Sequence, residues 1–258
     1  MNFNEMFRSD EQPLEKLIDS VGFGAIFRTI GCVGDSLSSG ELETINEDGS
    51  HKFDDRYEYS WGQFLGREIG SKVYNFSRGG MTAMNYCNYF AEDNGYWGED
   101  KACDAYIIAL GVNDLYHAMV EDKLIDFGSI DDVDPENYDN NKKTFAGYFG
   151  KIISRYKKIS PKAKFFLMTM PDSNRNDPEG KGEMHQKLMH ELAEKFDNTY
   201  VMDFRRYAPV YDDEFKKRFY LNGHMNACGY MLTAMMVKTY LDYIIRHNIE
   251  DFRLVGVR

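Results

Sequence analysis

The sequence predicts an α/β protein: a central, mostly parallel five-stranded sheet between two helical layers. Three observations predict it. Short apolar runs alternate along the chain with segments of helical spacing, which implies right-handed crossovers and a doubly wound sheet. The run at 105–110 is apolar throughout, as in a strand covered on both faces. Three of the runs end directly in glycine-bearing breaks: Gly34-Asp35-Ser36, Ser77-Arg78-Gly79-Gly80 and Gly111-Val112-Asn113-Asp114. In a parallel sheet such breaks gather at the carboxyl edge, where ligands bind.

The elements follow in order. Residues 28–33 (Arg-Thr-Ile-Gly-Cys-Val) form a short β-branched strand. Helical spacing of Trp61, Phe64, Leu65 and Ile69 predicts a helix over 60–69, and 72–76 is the second strand. Residues 81–90 read as helix and 105–110 as the third strand. Residues 115–141 are long, acidic and irregular, the mark of a lid or binding insertion. A helix over 145–159 stops at Ser160-Pro161, and a strand over 164–170 stops at Pro171. Residues 183–196 are an amphipathic helix, 199–203 the fifth strand, and 227–247 a long closing helix. The expected organisation is one domain over 1–258, with 1–25 as an N-terminal extension packing on it.

Asp and Glu total 42 against 31 Lys and Arg, a formal charge of −11. An acidic surface repels nucleic-acid phosphates and anionic lipid, so neither is an expected partner. The first twenty residues lack a basic start and an apolar run, and no stretch has the ~18 apolar residues of a membrane span. Cys32, Cys87, Cys103 and Cys228 are scattered without a Cys-x-x-Cys pair, which suits reduced thiols in a cytoplasm.

The breaks carry chemistry in combination. A hydroxyl is a weak nucleophile and needs a base to take its proton and donors to receive the oxyanion. Ser36 supplies the hydroxyl, Asn113 a side-chain amide, and the late Gly223-His224 an imidazole. In this order the segments resemble the SGNH (GDSL-type) hydrolase family: Gly34-Asp35-Ser36-Leu37-Ser38, Asn75 through Gly80, Gly111-Val112-Asn113-Asp114, and Gly223-His224-Met225-Asn226. The resemblance spans nearly the whole chain and implies a flavodoxin-like sandwich. It implies Ser36 as nucleophile, His224 as general base and acid, and an oxyanion hole of the Ser36 N–H, the Gly80 N–H and the Asn113 amide. Gly80, rather than Gly79, takes the family glycine's place.

One position departs from the family pattern. The aspartate usually found three residues before the histidine is Leu221 here. A Ser–His dyad, its imidazole N–H received by a backbone carbonyl, is the first expectation. Asp212, Asp213 or Glu214 reaching His224 is the second, and a weakened site the third. The expected reaction is hydrolysis of a small acyl ester, such as an acetylated carbohydrate, through an acyl-serine and without cofactor. Acyl transfer at the same site, a non-catalytic binding protein and a flavin carrier are the alternatives. The expected partner is the small-molecule ester, and self-association into a homo-oligomer stays open.

Each motif also has a plainer reading. Gly-Asp-Ser is common in turns, where Asp35 would bond to the local backbone. Asp114 suits a helix cap. His185 and His190 are five apart, so they do not share the face of a helical metal pair. The run Asp131-Asp132-Val133-Asp134 lacks an EF-hand's glycine and distal glutamate, which predicts solvated charges and no metal site. His117 is expected on a surface loop, and some aromatics between Tyr86 and Trp97 are candidates to wall a substrate pocket.

Overall fold

A computed structural model describes residue 8 and residues 10–116 and 125–256. His117 lies outside these residues. Five strands form one parallel sheet: β1 (Thr29–Gly34), β4 (Lys72–Ser77), β5 (Ala105–Ala109), β6 (Lys164–Met168) and β7 (Thr199–Met202), in the order β4-β1-β5-β6-β7. The two remaining pairs are antiparallel hairpins, β2 (Glu41–Ile45) with β3 (His51–Asp55) and β8 (Tyr220–Leu221) with β9 (His224–Met225).

Alternation along the strands fills two cores. Tyr106, Ile108, Phe165 and Leu167 face one side, together with the helices at Phe145–Ile159 and Lys181–Lys195. Ala105, Ile107, Phe166 and Met168 face the other, with the helices at Trp61–Ile69 and Ala227–His247. A period of two with both sets buried is why these strands read as continuous apolar runs. Tyr86, Phe90 and Trp97 pack around Tyr156 within the first core, so they are structural aromatics and do not wall a substrate pocket. The chain over 83–93 is short helical turns around a π-turn (Tyr86–Phe90) and not one regular helix.

The topology fixes the site. From β1 the chain runs outward to β4 on one face, then crosses to β5 on the other side of β1. The segments leaving β1 and β5 therefore part around a switch point, where a crevice forms at the carboxyl edge. The N-terminal segment docks on the long last helix: the Ile18 N–H donates to Thr239 Oγ1, the Phe23 N–H to Asp242, and Arg246 pairs with Glu11 and Asp242. Asp132 is buried, receiving the Ser129 N–H and the Thr144 hydroxyl and pairing with Lys142. It therefore anchors its loop and is not a solvated charge. Among the described residues no disulfide forms and no helix is long and apolar enough to cross a membrane.

Candidate active site

β1 ends at Gly34, and a one-turn helix, α1 (Ser36–Ser39), starts two residues later. A Cβ on Gly34 would collide with Ser38 Oγ and lie 2.6 Å from Ser38 Cβ, so only glycine lets α1 sit this close to the strand end. Asp35 is the N-cap, its carboxylate accepting the Leu37 N–H at 3.1 Å. Ser36 is the first residue of the turn, and its hydroxyl makes no hydrogen bond within the described residues. Burial pushes the Asp35 carboxyl up to about 6, against the pull of the Leu37 N–H and of His224.

The glycines after β4 and the asparagine after β5 meet beside this turn. Gly80 has φ 71 with open space where a Cβ would point. Asn113 is buried, and its side-chain amide donates to Met81 O at 3.1 Å and more loosely to Asp35 Oδ2 at 3.4 Å. Asp114 accepts the Ala83 N–H at 2.9 and 3.2 Å. It therefore caps the turn at Ala83–Asn85 instead of its own helix. Together Asn113 and Asp114 stitch the segment after Gly80 to the end of β5. Burial raises the Asp114 carboxyl to about 7 despite the Ala83 N–H.

His224 arrives on β9. In the β8–β9 hairpin it is paired with Leu221 across Asn222-Gly223, with Asn222 at φ 58. Directly paired residues share a sheet face, so an aspartate at 221 would lie beside the ring. Leu221 instead leaves that side apolar and is 42% exposed. The carboxylates come from elsewhere. His224 Nδ1 lies 2.8 Å from Glu43 Oε2 and Nε2 lies 3.0 Å from Glu41 Oε1. Both glutamates belong to β2, two residues apart and so on one face.

This corrects the expectations for the imidazole. Its Nδ1 faces a carboxylate and not a backbone carbonyl. Among the described residues, Glu41 and Glu43 are the acids within 4 Å of His224. Asp212 caps the helix at Asp213–Phe219 through the Phe215 N–H, Asp213 stands in that helix's first turn, and Glu214 pairs with Lys217. Burial opposes charge on His224, but its hydrogen bonds to Glu41 and Glu43 outweigh that and raise the ring above its ordinary value. Burial likewise raises Glu43, yet hydrogen bonds from His224, His51 and the Gly223 N–H hold its carboxyl below the usual range. Phe53 on β3 is 52% exposed and meets His224 edge-on at 5.7 Å between centroids.

Elsewhere, burial holds His185 neutral, its pKa down at about 4, with Nε2 3.0 Å from Leu110 O. His190 lies 3.1 Å from Asp203. Among the described residues no group of His, Cys, Asp and Glu could hold a metal ion.

The profile of the GDSL-like lipase/acylhydrolase family matches residues 32–232. The chain belongs to that family. No curated protein sequence matches the chain. Among solved structures it is similar to a family two carbohydrate esterase from Clostridium thermocellum in complex with cellohexaose, at 13% identity and TM-score 0.57, over 87% of this chain and 65% of that one. A family two carbohydrate esterase from Corynascus thermopiles (Myceliophthora fergusii) aligns at 14% identity and TM-score 0.59, over 84% and 66%. An acetyl xylan esterase aligns at 16% identity and TM-score 0.52, over 81% and 97%. At these identities the likeness is one of fold, and the chain spans less than two thirds of the two family two esterases.

Proposed function

We propose that this GDSL-family chain is a serine esterase that removes a small acyl group, acetyl above all, from a carbohydrate or similar alcohol. Ser36 Oγ attacks the ester carbonyl while His224 takes its proton. The tetrahedral oxyanion is received by the N–H groups of Ser36 and Gly80 and by the Asn113 amide, which swings from its long contact with Asp35. His224 then protonates the leaving alcohol, and water repeats the sequence to free Ser36.

The observation that carries this reading is convergence. The turn holding Ser36 and the stitched Gly80 and Asn113 segments lie at the sheet's carboxyl edge, and the hairpin carrying a half-buried imidazole, with a carboxylate on Nδ1, packs against that turn. A small acyl group is supported by the acetyl xylan esterase among the structural neighbours. A sugar as the alcohol is supported by Phe53, an exposed aromatic face beside the imidazole, and by the carbohydrate esterases among the structural neighbours.

The test is p-nitrophenyl acetate turnover together with labelling by a serine-directed fluorophosphonate. The wild type should turn over and label at Ser36, and S36A should do neither. Acetate release from acetylated xylo-oligosaccharides should exceed release of longer acyl groups. A wild type that neither labels nor hydrolyses would refute the esterase reading.

A further inference from the structure

A neutral imidazole carries one N–H, yet His224 holds a carboxylate oxygen at hydrogen-bond distance on each nitrogen. The described arrangement is therefore that of an imidazolium, which cannot accept a proton from Ser36. The two carboxylates differ in how they are held. Glu43 is 7% exposed, receives the Gly223 N–H at 2.8 Å, and has His51 Nδ1 on its other oxygen at 2.5 Å. Glu41 makes no other side-chain hydrogen bond among the described residues. Its second oxygen instead lies against Gly79, where a Cβ would collide with it. Glu41 thus spans from the glycine pair after β4 to the imidazole, across the region a substrate carbonyl would need.

We infer that the β2–β3 hairpin works the imidazole from both sides. Glu43 is the positioning carboxylate that holds Nδ1, standing in for the acid missing at Leu221. Glu41 is a competitor that must leave Nε2 before Ser36 can pass on its proton. The inference rests on the esterase reading above. The proton balance is simple: as Glu41 swings out, the Nε2 proton leaves to solvent, and the ring is left with its single proton on Nδ1 facing Glu43. Nε2 then has a free lone pair for the Ser36 proton. The other titratable groups around the ring are Asp35 beside α1, His51 behind Glu43, and the phenols of Tyr220 and Tyr230, which burial keeps neutral. Asp55, at the end of β3, is taken by the Ser39 hydroxyl.

The experiment measures kcat/KM against pH on p-nitrophenyl acetate for wild type, Glu41→Ala and Glu43→Gln, with the His224 ring followed by NMR titration in each. Glu43→Gln should lower kcat by about 100-fold or more across the profile, as loss of an orienting carboxylate does. Glu41→Ala should act in the opposite direction. Its rising limb moves to lower pH, with about 3- to 10-fold more activity below the wild-type inflection and an unchanged plateau. In both variants the ring should titrate at lower pH than in wild type while the amide spectrum keeps the dispersion of the folded chain, which loss of fold would abolish. Glu41→Ala lowering the plateau as Glu43→Gln does, or Glu43→Gln leaving plateau and titration unmoved, would overturn the inference while the wild type still hydrolyses ester. An inert, unlabelled wild type would overturn the esterase reading first, and the catalytic roles of both glutamates with it.

Discussion

Asp114 offers the sharpest quantitative test, because it joins two segments proposed to hold the oxyanion donors. Its carboxyl is raised from 3.8 to about 7 by burial, so the folded state keeps a proton that the unfolded chain has released. The sign follows. Between the unfolded and folded values the native state binds more protons, and stability falls as pH rises through that window. Asp114→Asn keeps an oxygen to accept the Ala83 N–H and removes the ionisation. At pH 5 the wild type carries a penalty of about 2 kcal/mol from this group, and at pH 9 about 4 kcal/mol. The stability gap between variant and wild type should therefore widen in the variant's favour by roughly 2–3 kcal/mol over that range. Urea denaturation of both proteins at the two pH values measures it, and contributions from groups not coupled to this carboxyl, as Asp35 is, cancel in the double difference. A gap constant to within about 0.5 kcal/mol would refute the assignment of a raised carboxyl here. Asp114→Ala should behave differently: it leaves the buried Ala83 N–H without its acceptor and should cost about 1–3 kcal/mol at either pH.

Asn113→Ala should reduce kcat by about 10²–10³-fold with little change in KM, since the amide is needed where charge develops and not in the ground state; steady-state kinetics on p-nitrophenyl acetate separate the two. Gly34→Ala should destabilise the protein by about 1–3 kcal/mol and slow turnover, because its Cβ pushes α1 off the end of β1. Thermal melts with parallel assays check it. The rising limb of the wild-type pH–activity profile should lie above the ordinary histidine value, because the ring's carboxylate partners favour its charged form. A limb below that value would contradict the double contact.

The sheet and its helices are legible wherever burial imposes a period. The apolar run at 105–110 becomes β5, and the helices at Phe145–Ile159 and Ala227–His247 have the bounds their spacing predicts. The segments bearing Ser36, Gly80 and Asn113 could be placed because each follows a buried strand. The partners of His224 were not legible. Nothing in the sequence marks Glu41 and Glu43 out, since a carboxylate facing an imidazole and one facing water look alike there. A signal was nonetheless present: Asp48-Gly49 between two alternating runs is a hairpin turn, with Gly49 at φ 82. It would have placed both acids on one face. The aromatics from Tyr86 to Trp97 misled because a ring in a core and a ring in a binding wall have the same composition.

The β2–β3 hairpin makes its two halves unequal in evolutionary latitude. Its tip, from Asn46 to Ser50, hydrogen-bonds within itself, so residues could be added or lost there with little consequence. Between Gly40 and Glu41 a single inserted residue would turn both acid side chains to the opposite face of the ribbon and strip the ring of both neighbours at once.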